Sequence, residues 1–222
     1  MILYWVERRA RHPILPIDLL SNQPFLMVCV QRFLAVFPLY VILFSFSIYA
    51  QKFLGLSAIS AGGFLLSMTL SIAILSPLCG KLSDWIGPKK NLLFSLITYI
   101  VWSVMLLLFL LKAHAYWLGL SLVLPGLAYA LSSPAALALT IQVVPKDLHG
   151  AANGLFYMLS VFSGLLAVAF SAAVMHSGHS SFDNMLIIAL MMLFMCVVGL
   201  VLMFFWLIRP NGRYEKTYDD TI

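Results

Sequence analysis

Leu92-Leu93-Phe94-Ser95-Leu96-Ile97-Thr98-Tyr99-Ile100-Val101-Trp102-Ser103-Val104-Met105-Leu106-Leu107-Leu108-Phe109-Leu110-Leu111 contains no charge, no glycine and no proline. A helix rises about 1.5 Å per residue, so a run of about 20 apolar residues crosses the hydrocarbon of a bilayer. Five more stretches of this kind flank it, at residues 25–49, 58–79, 116–141, 150–175 and 185–208. The whole chain of 222 residues is 63% hydrophobic and 9% charged, with a mean hydropathy of +1.01. Soluble domains carry about 25% charged residues, so this chain lacks the surface to face water on its own. Inside a bilayer only helices and closed barrels satisfy their backbone. A barrel alternates apolar and polar residues in segments of about 10, and that pattern is missing here. The expected class is an all-α membrane protein whose partner is the lipid bilayer. Residues 25–208 would form a six-helix transmembrane bundle, with cytoplasmic segments at 1–24 and 209–222.

Charge orients the bundle. With the N-terminus inside, the inner segments hold Arg8, Arg9, Arg11, Lys81, Lys89, Lys90, Lys146, Arg209, Arg213 and Lys216, whereas the outer loops hold only Lys52 and Lys112. That bias places both termini in the cytoplasm. The net charge of +5 is therefore a topology signal. The basic residues are scattered among loops, so no nucleic-acid partner is expected. Cys29, Cys79 and Cys196 sit in or beside apolar spans and read as small buried residues.

Moving outward from the opening stretch, the spans repeat in character every three. Spans one and four hold interior prolines, Pro38 in one and Pro125 and Pro134 in four. Spans two and five carry small residues, Ala61, Gly62, Gly63, Ser67 and Ser71 in one and Gly150, Gly154, Ser160 and Gly164 in the other. Gly150-x-x-x-Gly154 is a spacing that lets helices pack closely. Spans three and six are bulky nearly all round. An odd number of helices per repeat inverts the second copy, so the pattern predicts a 3+3 inverted repeat, with the prolines marking interrupted helices around a transport path. The opening Met1-Ile2-Leu3-Tyr4-Trp5-Val6, followed by Glu7-Arg8-Arg9, reads as the end of an earlier spanning helix, which would make the chain the back part of something longer. A short apolar N-terminus is the alternative.

Just before the opening stretch lies Gly80-Lys81-Leu82-Ser83-Asp84-Trp85-Ile86-Gly87-Pro88-Lys89-Lys90. This segment resembles the major facilitator superfamily, whose loop after the second helix of a six-helix half carries G-x-x-x-D-R/K-x-G-R/K-R/K. Gly80, Asp84, Gly87, Lys89 and Lys90 fall on that pattern, whereas Trp85 and Pro88 stand where the family has basic residues. Read physically, Gly80 and Gly87 would permit tight turns, and Asp84 would pair with the lysines across helix ends as a gate contact, or simply cap a helix in an ordinary basic loop. Pro13 to Phe25, Tyr49 to Ser57 and Val144 to Gly154 are similar to segments of the fourteen-helix drug:proton antiporters. The resemblance implies helices nine to fourteen of such a transporter, in a bacterial inner membrane, exporting drugs or small molecules by alternating access. It implies a small-molecule substrate only when an N-terminal half or a second copy completes the chain. No cofactor is implied.

Polar groups inside the membrane are the candidates for chemistry. Arg32 is the one Lys or Arg within a span. It would either line a central cavity or snorkel to the interface. Gln31 beside it falls on another side of the helix and reads as structural. Tyr129, Ser132 and Ser133 surround Pro134, with Gln142 further along, and can bind cargo or satisfy carbonyls freed by the proline. Asn153 and Tyr157 share a face of span five and can do either too. All eight acids, Glu7, Asp18, Asp84, Asp147, Asp183, Glu215, Asp219 and Asp220, lie in loops, tails or interfaces. A proton-carrying carboxylate would have to come from elsewhere. His176-x-x-His179 lacks further ligands, so no metal is expected, and no catalytic set or nucleotide motif points to an enzyme. Beside the transporter half, two other readings stand: a non-transporting remnant or accessory protein that binds partner helices, and a half transporter that self-assembles. The charge bias makes a direct prediction. Reporter fusions after Lys52, Lys112 and Gly178 should each report the outer side, and a cytoplasmic signal from any one breaks the six-span topology.

Overall fold

The computed structural model describes Leu19 and residues 22–112, 121–177 and 180–208. Among them are six helices long and apolar enough to cross a membrane. They are α1 (Gln23–Lys52), α2 (Ala58–Ile86), α3 (Pro88–Lys112), α4 (Val123–Val143), α5 (His149–Met175) and α6 (Ser181–Ile208), with a short 3₁₀ turn, Lys146–Leu148, before α5. Asn22 begins the bundle. Its side-chain oxygen accepts the N–H of Phe25 at 3.3 Å, and its amide donates to the carbonyl of Val143 at 2.9 Å. The cap therefore satisfies an orphan donor of α1 and an orphan acceptor at the end of α4 together. It also sets the start of α1 beside the end of α4, so the two helices run antiparallel.

The packing obeys the exchange of an inverted repeat. α1 lies along α5 as α2 lies along α4, and α3 packs on α4 as α6 packs on α1. α1 and α4 are the most buried of the six, while α2 and α5 leave most of their surface open. Close approach depends on small residues at two equivalent places. A Cβ on Gly126 would overlap the Ser71 hydroxyl at the α4–α2 contact, and one on Gly164 would press on the Tyr40 ring at the α5–α1 contact. Phe46, Tyr49, Trp102 and Met192 fill the core at one end. Val28, Leu92, Leu139, Phe156 and Met203 fill it toward the other, the end that carries Lys81, Lys89, Lys90 and Lys146. We call this the basic end. There Asn91 ties three helices, its amide donating from α3 to the carbonyls of Cys79 on α2 at 3.3 Å and Leu131 on α4 at 3.0 Å.

Several expectations are corrected. The segment from Gly80 to Ile86 is the last two turns of α2, not a loop. Its residues offer nothing that stops a helix, and one interior glycine costs only about 1 kcal/mol. Gly87 is the real break. Its φ of 89° and ψ of 143° are open to glycine, and Pro88, which has no N–H, opens α3 one residue later. The prolines do not interrupt their helices, because α1 continues through Pro38 and α4 through Pro134. Nor are they confined to spans one and four, since Pro77 lies inside α2. Gly150 and Gly154 meet no neighbour within 4 Å and sit exposed, so within the bundle the close contact of α5 is made by Gly164 instead. Of the expected fourth span, residues 116–120 fall outside the described residues, as do 113–115 before it and the terminal segments 1–18 and 209–222.

These boundaries make the two motif glycines opposite in kind. Gly80→Ala adds a Cβ with nothing within 4 Å to a helical position. It should stabilise the chain by about 0.5–1 kcal/mol. Gly87→Ala forces an L side chain into the glycine region and should destabilise by about 1–3 kcal/mol. Thermal unfolding of both variants in detergent micelles reads the signs. Shifts in the same direction would contradict this joint.

Candidate functional site

At the junction of α1, α4 and α5 sits the guanidinium of Arg32. Nε donates to the Ser160 hydroxyl on α5 at 2.8 Å, and Nη2 donates to the Tyr129 hydroxyl on α4 at 3.0 Å. The Tyr129 and Phe156 rings also flank the guanidinium, with centroids 5.2 Å and 4.9 Å from Cζ. The residue is 5% exposed, so its charge is turned into the bundle and not along α1 to the interface. Nη1 is buried without a hydrogen-bond partner among the described residues.

Each element supplies its part for a local reason. Ser160 uses its hydroxyl twice, accepting from Arg32 and donating to the Phe156 carbonyl of its own helix at 2.9 Å. That back-bond aims the oxygen lone pairs at α1. Phe156, Ser160 and Ser163 lie at spacings of four and three, one stripe of a helix. Ser163 continues the stripe by donating to the Phe33 carbonyl of α1 at 2.9 Å. On the other flank, the Tyr99 hydroxyl of α3 donates to the Ala35 carbonyl at 2.9 Å, three residues before Pro38. Tyr99 is fully buried and braces the stretch of α1 that follows Arg32.

The electrostatics are those of a cation held by neutral groups. A membrane-embedded Arg costs about 2.5–3.5 kcal/mol on insertion scales. Hydrogen bonds to charged groups return about 1.5–3 kcal/mol each, and ring faces about 0.5–2. Hydroxyls and rings can therefore offset the burial without an acid. Among the described acids, Asp84, Asp147 and Asp183 are all exposed at helix ends or in a turn.

The other candidates disperse. Ser132 is buried but spends its hydroxyl on the Tyr129 carbonyl of its own helix, at 3.0 Å. Ser133 is half-buried and Gln142 exposed. Asn153 lies one turn from Phe156 toward the basic end, with Oδ1 buried and unpartnered among the described residues. Tyr157 is 55% exposed and stacks edge-on against Phe156, facing away from Arg32. At the basic end Asp84 and Lys90 are exposed, and no ion pair links Asp84 to Lys89 or Lys90 among the described residues. Lys89 lies over the Trp206 ring of α6, 4.6 Å from its centroid. The five motif residues thus span a helix end and a joint, with Gly80 helical and Gly87 at the break. Sequence reasoning found Arg32 and Tyr129 but not Phe156 as a ring face, nor Ser160 as a ligand, although Ser160 is one of two hydroxyls on that α5 stripe near the middle of the span.

Comparison with known proteins adds the following. The family model described as Major Facilitator Superfamily matches residues 5–168. An uncharacterized MFS-type transporter, YwoD of Bacillus subtilis, is 28% identical over 191 residues, which cover 83% of this chain and 42% of that protein. The multidrug resistance protein fnx1 of Schizosaccharomyces pombe is 24% identical over 76% of this chain and 33% of its own length. The multidrug resistance protein Stp of Mycobacterium tuberculosis is 26% identical over 69% of this chain and 28% of its own length. The chain spans less than half the length of these relatives.

The Arg32 cluster is a coupled unit, and that can be measured. Tyr129→Phe strips the acceptor from Nη2 and should cost about 1–3 kcal/mol of stability. Ser160→Ala should cost a similar amount. Combined with Arg32→Leu, either change should cost less than 1 kcal/mol, because the charge that needed the hydroxyl is gone. Additive losses in a double-mutant cycle of unfolding would contradict the geometry.

Proposed function

The chain belongs to the major facilitator superfamily, and from that premise we propose that its bundle is the C-terminal half of a small-molecule exporter working by alternating access. In this reading α1, α4 and α5 form one wall of the transport path, and a second bundle forms the other. Arg32 is the anchor of that wall, with Tyr129 and Phe156 as its aromatic faces and Asn153 within reach toward the basic end. The observation that carries the reading is the buried guanidinium with one nitrogen unpartnered among the described residues, at the junction of the two most buried helices with α5. The names of two relatives, both multidrug resistance proteins, support drug efflux as the activity.

The exposed surfaces support a second bundle. α3 and α6 turn bulky side chains outward, among them Phe94, Leu108, Phe194 and Phe205. α2 and α5 expose Gly62, Gly63, Gly150 and Gly154, where a backbone from outside can approach closely. The first pair suits lipid and the second suits protein. Asp84, Lys89 and Lys90 lie at the end where the two bundles would part and close, with both chain termini on the cytoplasmic side. The described acids leave no carboxylate within this wall, so a proton carrier belongs to the other bundle.

Liposomes with an imposed pH gradient and a panel of dyes test this. The chain alone should accumulate no more dye than empty liposomes. Supplied with the front part of the Bacillus subtilis relative as the second bundle, it should give accumulation that a protonophore collapses. Arg32→Gln should lower that rate at least tenfold, about 1.4 kcal/mol, at unchanged helix content. Protonophore-sensitive accumulation by the chain alone would overturn the two-bundle reading in favour of a self-assembling half transporter. An unaltered rate in Arg32→Gln would remove Arg32 from the path.

A further inference from the structure

Near the basic end a narrow crevice separates α1 from α6. Val30 and Leu34 line one side, Leu202 and Trp206 the other, and the cleft is shallow, with a cavity of about 10 Å³, room for one oxygen atom of an occupant whose remainder lies along the rim. Gly199 thins the α6 wall, where a Cβ would collide with Leu34. Val30 and Leu202 are exposed at the rim, so the crevice opens onto the apolar outside of the bundle. One side chain breaks the apolar lining. Gln31 turns into the crevice, is 3% exposed, and has its amide nitrogen buried without a hydrogen-bond partner among the described residues. A buried donor left unmade is costly, and the structural role that the sequence suggests for Gln31 supplies that nitrogen with no acceptor among the described residues.

An occupant that suits the crevice must bring a hydrogen-bond acceptor while being apolar enough to arrive from the lipid side. The Trp206 ring extends the crevice toward the basic end and carries the Lys89 ammonium, 4.6 Å from the ring centroid. Lys90 follows, exposed. The order along the crevice is therefore cation, interfacial aromatic, amide donor, then aliphatic side chains. That is the order of an anionic phospholipid read from phosphate through glycerol ester to acyl chain. Basic residues at a membrane surface favour anionic lipid, and tryptophan favours the headgroup level.

We propose that the α1–α6 crevice is a binding site for one anionic phospholipid. Its phosphate lies at Lys89, an ester carbonyl accepts from the Gln31 amide, and an acyl chain lies against Val30, Leu34 and Leu202. The site stands on membrane embedding and not on the transport reading, since it is on the side of α1 away from Ser160.

Native mass spectrometry of the full chain, stripped of lipid in detergent and titrated with phosphatidylglycerol or phosphatidylcholine, tests it. The chain should retain one phosphatidylglycerol in preference to phosphatidylcholine. Lys89→Gln should reduce that preference about fivefold, the worth of one basic residue at the surface. Lys89→Arg should keep it. Gln31→Leu should weaken both lipids alike, because both carry ester carbonyls, and its well-packed apolar side chain keeps the fold measurable. Equal retention of the two lipids by the parent chain, or phosphatidylglycerol binding unchanged in both Lys89→Gln and Gln31→Leu, would overturn the proposal. A lipid-free dimer broken by Gln31→Leu would assign the crevice to a second copy instead.

Discussion

A guanidinium surrounded by hydrocarbon-facing helices has to be satisfied by whatever the helices can offer, and here they offer hydroxyls and ring faces. Arg32 therefore dictates more than its own surroundings. It requires Ser160 of α5 and Tyr129 of α4 at the same depth as itself. Those requirements fix the rotation of both helices about α1. The rest of the α1–α5 seam follows from that rotation, with Ser163 donating to the Phe33 carbonyl and Gly164 leaving room for the Tyr40 ring. In lipid the apolar side chains gain little by choosing one helix over the solvent, so such polar and steric matches carry much of the specificity.

The inverted repeat constrains the same seam from another direction. The pairs α1–α5 and α4–α2 occupy equivalent places, and each contains one glycine against a polar side chain, Gly164 with Tyr40 and Gly126 with Ser71. The two pairs differ in chemistry. The single Ser71 hydroxyl proton is shared between two backbone carbonyls, those of Met68 at 2.7 Å and Val123 at 3.2 Å, so its donor is spent on structure. The equivalent seam on α1 holds the charge. Of two equivalent seams, each built from one helix of either copy, the α4–α2 seam thus spends its hydroxyl on backbone and the α1–α5 seam buries a charge.

Fold class was legible because it rests on composition and length. Six apolar runs, the basic bias and the absence of barrel alternation needed no tertiary information. Helix ends were less legible. Gly80 read as a turn because glycine is a common helix breaker in water, but membrane helices tolerate it. Gly87 was marked by the proline after it, a stronger signal than glycine alone. Arg32 stood out because a charge in a span is expensive. Its ligand Ser160 did not, because small residues on a spanning helix read as packing, and only the neighbouring helix decides which of them meets a donor. The Gly150–Gly154 spacing goes unused inside the bundle for the complementary reason: a close-packing spacing says that a helix can approach and does not say which one.

The two unpartnered donors of α1 separate the faces of that helix. Gln31 and Arg32 are adjacent, about 100° apart around the axis, and each keeps one nitrogen buried and without a hydrogen-bond partner among the described residues. Arg32 points between α4 and α5, toward the interior stripe of hydroxyls and rings. Gln31 points to α6, toward lipid. A helix lying wholly within a finished core would have paired both. Under the two proposals, each orphan would have its own source of acceptors, lipid esters for Gln31 and a polar path for Arg32. α1 would then be the partition between bilayer and transport path, the most buried helix of the six and yet one with an unpartnered nitrogen, among the described residues, on each of two sides.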